Sequence, residues 1–485
     1  MAAAAFVCAA VDLGAESGRV CAGSFDGARV ELTEVHRFAN TPVEVDGTVC
    51  WDLPRLLAGV RDGLAAARAR LGRVDSVSVD TWAVDAGLLD AAGRLLSPVR
   101  HYRSATRAQM ERVLERLPAR ELYGLTGIQL LPINTVFQLA GRREELERAA
   151  RVLLVPDLVN HDLTGLAATE ETIASTTQLV DAGGRDWSAR VFDALELPRA
   201  PFPEIAACGT VLGPLGGEAA AAAGLSRATV VVQGPSHDTA AAVAGVPAAD
   251  GSAAFLASGT WSLVGLELDA PLVTDESFAA NVTNERGICG TVRALKNVTG
   301  LWLVQECRRA WSAQGSSLGW DELVELAGRT APGPLFDPDE PGLLRPGADM
   351  PERIAAATGG RVDPGDQAAV ARAIFDSLAH AYRAALERVE AAAGRRAEVV
   401  HVVGGGARNR LLCRLTAEAL GRPVLAGPVE ASSLGNVLGQ LLAHGLLGTR
   451  DELRAVARAS AEVERYEPAA ASARHDEFLA AGARA

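Results

Sequence analysis

Thr229–Val246, TVVVQGPSHDTAAAVAGV, is the stretch from which the fold can be read. Val230, Val231 and Val232 form a β-branched run with the composition of a buried strand. Gly234 and Pro235 break it, Ser236 is a residue type that caps helices, and the Ala/Val-rich remainder reads as helix. His237 and Asp238 then stand in a first helical turn, just beyond the carboxyl end of a strand. Open α/β sheets hold their ligands there. The dipole at a helix start favours an ionised carboxylate, so Asp238 can accept a proton or orient a hydroxyl. Taken alone, the segment is also explained by an aspartate that only caps its helix.

Working outward, Phe6–Leu13 reads as a buried strand, Gly14–Arg19 as a turn and Val20–Ser24 as a returning strand. The tip carries Ala15, Glu16, Ser17, Gly18 and Arg19, which offer backbone N–H groups, a hydroxyl and a guanidinium to a phosphate. Asp12, at the strand end, is placed to hold Mg²⁺ through water. Leu53–Leu71 is an amphipathic helix with Pro54 in its first turn. Val74–Val79 alternates as a strand and ends in Asp80-Thr81-Trp82-Ala83-Val84-Asp85. Two carboxylates and a Trp at a strand end suit a polar ligand with a sugar ring on the indole, or form an ordinary connection. Val152–Leu158 is strand-like, and Thr169–Leu179 is rich in hydroxyls.

Val246–Ser252 is the candidate boundary, giving domains 1–246 and 247–485. The second half repeats the opening pattern. Ala253–Ala257 and Trp261–Leu266 flank Ser258-Gly259-Thr260, again a hairpin with small and hydroxyl residues at its tip. Lys296–Ala310 reads as a helix with Asn297 and Gln305 as its polar residues. Glu398–Val403 is a strand, Gly404, Gly405 and Gly406 a tight turn, and Asn409–Leu420 a helix. Glycines after a strand allow close backbone approach to an anionic ligand, and serve equally for packing. The tail after Thr449 reads as peripheral helix.

Composition removes several classes. At 485 residues the chain can bury substantial cores, and its net charge of -13 at pH 7 opposes nucleic acid or anionic membrane as a partner. The seven cysteines are scattered with no C-x-x-C, which fits reduced thiols and a cytoplasmic setting. No Lys or Arg precedes the first apolar run, which is therefore a strand and not a leader, and no later run has transmembrane length. Lys296 is the only lysine and has neither a P-loop nor a protein-kinase context.

The ordered blocks together resemble the FGGY carbohydrate kinases. The resemblance is carried by VDLGAESGRV at 11–20, WDLPRLL at 51–57, VDTWAVDAGLLD at 79–90 and GIQLLPINTVFQL at 127–139. It continues through TTQLVDAGGRDW at 176–187, SHDTA at 236–240, SGTWSLVG at 258–265, ALKNVTGLWL at 294–303, HVVGGGARN at 401–409 and GPVEASSLGN at 427–436. It implies an α/β fold of two actin/hexokinase-like (ribonuclease H-like) domains with a nucleotide and sugar cleft between them. It also implies ATP as co-substrate with Mg²⁺, a small-molecule ketose as acceptor, and a monomer or small homo-oligomer.

By the resemblance Ala15, Glu16, Ser17, Gly18, Arg19, Thr260, Gln305 and Gly404–Gly406 would meet ATP. Ala83, His237, Asp238, Thr239 and Asn297 would surround the sugar, with Asp238 taking the proton of the attacking hydroxyl. Position 83 is Ala where related sequences carry Gly. Glu16, an acid in a phosphate loop, would point away or help organise Mg²⁺. Within the family the blocks are nearest to members that phosphorylate L-rhamnulose at O1. L-fuculose or xylulose as acceptor, or a non-catalytic actin-like nucleotide binder, are the alternatives.

Overall fold

A computed structural model describes residues 6–316, 318–345, 347–469 and 474–482. They fall into two compact units: Met1–Pro247 with Glu267–Ala294 and Ala431–Ser460, and Ala248–Leu266 with Leu295–Glu430 and Ala461–Ala485.

The first unit is built on β1 (Phe6–Leu13), β2 (Ser17–Phe25), β3 (Val30–Ala39), β4 (Ser76–Thr81), β5 (Thr210–Pro214) and β6 (Val230–Gln233). Their order across the sheet is β5-β6-β4-β1-β2-β3. The β1–β2–β3 meander and the β5–β6 pair are antiparallel, whereas β1, β4 and β6 run parallel. Interior parallel strands are covered on both faces, hence the unbroken apolar run of β1. Alternate side chains divide between two helices. Ala9, Val11 and Leu13 join the core under α1 (Leu53–Leu71), while Cys8 and Ala10 join a second core. That second core includes Val437, Leu438 and Leu441 of a helix contributed from far along the chain, Ala431–Ala443.

The second unit repeats the plan with β7 (Ala253–Ser258), β8 (Trp261–Leu268), β9 (Val292–Thr299), β10 (Val399–Val403), β11 (Val424–Ala426) and β12 (Glu464–Tyr466). The order is β9-β8-β7-β10-β11-β12, with the short strand Thr283–Arg286 paired outside β9. β7–β8 and β11–β12 are antiparallel; β7, β10 and β11 are parallel. The units differ in where the antiparallel edge strand enters the chain: β5 precedes its partner, β12 follows. The duplicated actin/hexokinase-like fold is therefore present.

Three local readings are corrected. Lys296 and Asn297 lie on β9, and the helix runs Trp302–Ala313. Gly300 marks the change, where a Cβ would stand 2.6 Å from the Gly259 carbonyl. Only Arg151–Leu154 of the strand-like segment is strand; Pro156 starts a helix, Val155–Thr164. The tail helix Arg450–Ser460 is not peripheral. Arg454, buried, donates to the carbonyls of Val243, Ala244 and Val246 at 2.7, 3.1 and 2.7 Å and closes the end of the helix that Asp238 begins.

Candidate active site

Asp238 opens α2 (Asp238–Ala244), with His237 as its N-cap residue and no side-chain cap bond. Ser236, expected as the cap, is buried one residue earlier in the turn, and the aspartate does not cap either. The turn is held from outside. Thr81 N–H donates to Ser236 O at 2.9 Å, Ser236 N–H to Glu170 Oε2 at 3.2 Å, and His237 N–H to Thr172 Oγ1 at 3.2 Å. The hydroxyl-rich segment thus serves as a clamp. Burial pushes the Glu170 carboxyl up to about 8.

α2 is pressed on by α3 (Ala431–Ala443) through glycines. A Cβ on Gly435 would stand 1.8 Å from the Ala241 carbonyl oxygen, and one on Gly439 2.4 Å from Pro235 Cδ. That contact brings two polar side chains under β1 and β4. Asn436 Nδ2 donates to Asp80 Oδ2 at 2.7 Å, and Gln440 Nε2 donates to Ala9 O at 3.1 Å.

Three carboxylates belong to this corner of the first unit. Asp12 and Asp80 are register partners on parallel β1 and β4. Asp12 accepts Arg19 Nε at 3.0 Å and Nη2 at 2.6 Å, and also the Ser432 hydroxyl. Asp80 is wholly buried. Its Oδ1 has no hydrogen-bond partner among the described residues, and burial with the charge of Asp12 raises its pKa well above the usual range. Asp238 is half-buried. Burial raises it, the His237 ring lowers it and Asp12 raises it further, with a net upward shift. Both recorded side-chain contacts of Asp238 fall on Oδ1: Thr239 Oγ1 donates at 3.1 Å and His237 Nε2 lies 3.3 Å away.

Around the β1–β2 turn, Glu16 is exposed, Ala15 and Ser17 are half-buried, and Arg19 faces Asp12. Gly18 admits nothing larger, since a Cβ would meet the Phe38 ring at 2.4 Å. Ala83 is half-buried and precedes Val84, whose φ of 71° is unusual for a β-branched residue. The sugar-platform reading of Trp82 and Asp85 fails. Trp82 is buried against Trp51, with ring centroids 4.2 Å apart. Asp85 takes donors from Trp51, Trp82, Gln138 and the Tyr102 backbone, and burial still pushes it up to about 7.

In the second unit, Thr260 sits at the β7–β8 tip, where its carbonyl accepts Gly300 N–H and Trp302 N–H, both at 3.2 Å. Gln305 has a buried Oε1 with no partner among the described residues, and Asn297 is half-buried on β9. The glycine turn divides its labour. Gly404 has φ 80°, and Gly406 would clash with Ser258 Oγ at 2.0 Å, but a Cβ on Gly405 meets nothing within 4 Å. Packing explains Gly404 and Gly406 and leaves Gly405 facing open space.

Two side chains of the site gave no sequence signal. Arg293, in the part of β9 that belongs to the first unit, is fully buried, with Nη2 3.1 Å from His237 Nδ1 and Nη1 3.1 Å from Glu285 Oε2. Burial opposes ionisation of Glu285, yet the charge of the Arg293 guanidinium holds its carboxyl below the usual value. Lone charged residues in unremarkable strands do not announce such a pairing.

The N-terminal domain model of the FGGY family of carbohydrate kinases matches residues 7–245, and the C-terminal domain model matches 254–444. A protein of Bacteroides thetaiotaomicron named rhamnulokinase is 40% identical over 467 residues, 95% of each chain. A rhamnulokinase of Klebsiella pneumoniae is 39% identical over 478 residues, 95% of this chain and 94% of that one. Among solved structures, gluconate kinase from Lactobacillus acidophilus superimposes with TM-score 0.79 at 16% identity, covering 99% of this chain and 96% of the other. Plasmodium falciparum glycerol kinase with ADP gives 0.77 at 13%, over 98% and 97%. At those identities the structural likeness speaks for fold alone. Among the described residues no helix is long and apolar enough to cross a membrane.

Proposed function

Because the chain belongs to the FGGY family of carbohydrate kinases, we propose that it transfers the γ-phosphoryl of ATP to O1 of L-rhamnulose, giving L-rhamnulose 1-phosphate and ADP. The observation that carries the choice of sugar is the near-full-length identity of about 40% to proteins named rhamnulokinase. We assign ketose contacts to Ala83, His237, Asp238 and Thr239 of the first unit and to Asn297 of the second. ATP contacts fall to Ala15–Arg19 of the first unit, and to Thr260, Gln305 and Gly404–Gly406 of the second. The open face of Gly405 and the unpartnered oxygen of Gln305 support the latter group.

Asp238 is the general base. Phosphoryl transfer needs positioning and charge neutralisation more than a strong base, so a carboxylate within hydrogen-bond reach of the sugar hydroxyl suffices. Its Oδ1 is occupied by Thr239 and faced by His237, which leaves Oδ2 to take the O1 proton. The Thr239 hydroxyl donating to the other oxygen keeps the carboxylate oriented, so the hydroxyl oxygen can be aligned with the phosphorus.

Mg²⁺ would be held by Asp12 through water. Among the described residues no cluster of three or more His, Cys, Asp or Glu suits a metal ion. Magnesium carried mainly by phosphates and waters needs only one or two carboxylates, however, and Asp12 near the end of β1 supplies one. When bound, the ion neutralises charge on the phosphates.

A panel of ketoses with coupled ADP detection tests the substrate. L-Rhamnulose should give the highest kcat/KM, and a clear preference for L-fuculose or xylulose overturns the choice. Asp238→Ala should lower kcat by roughly 10²–10⁴-fold while ATP still binds. Near-normal turnover refutes the base.

A further inference from the structure

The buried Glu285–Arg293 pair lies behind the His237–Asp238 turn, and its geometry decides something the ring alone leaves open. A neutral imidazole carries one N–H, on Nδ1 or on Nε2, and its neighbours select which. Nδ1 of His237 has two polar neighbours, Arg293 Nη2 at 3.1 Å and Glu285 Oε2 at 3.2 Å. They impose opposite choices, because a carboxylate would draw the proton onto Nδ1 and a guanidinium forbids it there. The directions separate them. The Arg293 contact has hydrogen-bond geometry, whereas Glu285 Oε2 makes no hydrogen bond among the described residues. A guanidinium N–H is only ever a donor, so Nδ1 is the acceptor.

Arg293 cannot turn away. Its Nε and Nη2 donate to the Arg286 carbonyl at 3.1 and 3.0 Å, and Nη1 pairs with Glu285 at 3.1 Å. We propose that Arg293, anchored by Glu285, is a positioning residue that fixes His237 in the Nε2–H tautomer, so that the ring nitrogen 3.3 Å from Asp238 Oδ1 is the one that carries the proton. This rests on the reading of Asp238 as the base. The opposite tautomer would aim a lone pair at the carboxylate. The ring would then swing away or Asp238 would take up a proton, and a protonated Asp238 cannot accept one from the sugar. A buried ion pair contributes little net stability compared with an apolar pair of the same size. A task of this kind accounts for a guanidinium at zero exposure.

The first test is the nitrogen spectrum of enzyme labelled with ¹⁵N-histidine, with the His237 signals assigned by their loss in His237→Gln. An unprotonated Nδ1 in the wild type is expected, and a protonated Nδ1 overturns the proposal. The second compares two double variants that strand no buried charge. In Glu285→Leu/Arg293→Met nothing donates to Nδ1, and kcat should fall about ten- to hundredfold with KM for ATP within about twofold. In Glu285→Gln/Arg293→Met the new amide can donate to Nδ1, and kcat should return to within about threefold of wild type. An apolar double variant with wild-type kcat, or an amide variant that recovers nothing, also overturns it. Asp238→Ala measured alongside separates the two claims. Turnover in that variant removes the base assignment, while the nitrogen spectrum still reports on Arg293 without any turnover.

Discussion

Gly435→Ala places the smallest possible side chain where the fold has no room for it, on the helix that backs Asp238. The new methyl would stand 1.8 Å from the Ala241 carbonyl oxygen, 2.7 Å from its carbon and 3.0 Å from Ala244 Cβ. Ordinary contact begins near 3.4 Å, so α3 and α2 must separate by about 1.6 Å (3.4 less 1.8). The obstacles are backbone atoms and cannot rotate away. Overpacking typically costs 1–3 kcal/mol, and this site belongs at the upper end, about 3 kcal/mol. That corresponds to a fall of roughly 6–12 °C in Tm for a unit of this size. Because α2 starts at Asp238, the same displacement moves the carboxylate proposed as the base, and a shift of about 1 Å can lower a rate roughly a hundredfold. Calorimetry gives the first quantity and steady-state kcat the second. A Gly435→Ala protein with Tm within about 2 °C of wild type and full kcat would refute both the contact and its role.

The glycine turn offers a paired contrast. Gly405→Ala should leave Tm unchanged and raise KM for ATP, whereas Gly406→Ala, aimed 2.0 Å from Ser258 Oγ, should lower Tm; thermal melts and ATP titrations separate them. A base must be ionised to act, and burial raises Asp238, so kcat should fall on acidification with its midpoint above the usual aspartate value; a midpoint at the ordinary value contradicts that. Glu170 is raised from 4.5 to about 8, so the neutral carboxyl contributes stability fully below about pH 4.5 and loses it as pH rises through about 8. Glu170→Gln should remove that part of the slope and gain Tm relative to wild type at alkaline pH but not at acid pH, which melts across the range will check.

What the sequence made legible follows from where the information was local. β1, α1 and β6 were readable because an apolar run, a first-turn Pro54 and a Gly-Pro break each act within a few residues. β9 was misread as helix because KNVTGLWLVQEC carries helix-like spacing beyond Gly300, while the pairing that makes Lys296 and Asn297 a strand comes from β8, some thirty residues away. Asp238 was located correctly at a helix start. The bonds that hold its turn come from Glu170 and Thr172, and the arginine closing its helix is Arg454. Nothing near residue 238 encodes those partners. Gly404 and Gly406 are accounted for by packing and Gly405 faces open space, a difference that a GGG string does not carry.

The three carboxylates of the first unit differ in ways that favour Asp238 as the proposed base. Like charges in a shared low-dielectric region cannot all ionise. Asp12 is matched by the fork of Arg19, and Asp80, wholly buried with a single donor from Asn436, is driven toward its neutral form. Asp238 alone keeps a half-exposed face, with Thr239 and His237 both on one oxygen and the second oxygen left for the proposed sugar hydroxyl. The division can be checked by replacing Asp80 with Asn, which mimics its neutral state. Turnover should stay within about threefold of wild type and the acid midpoint of kcat should hold or move down, because a like-charged neighbour can no longer form. A loss of turnover beyond about tenfold would mean that Asp80 is ionised in the working enzyme and that its charge is needed there.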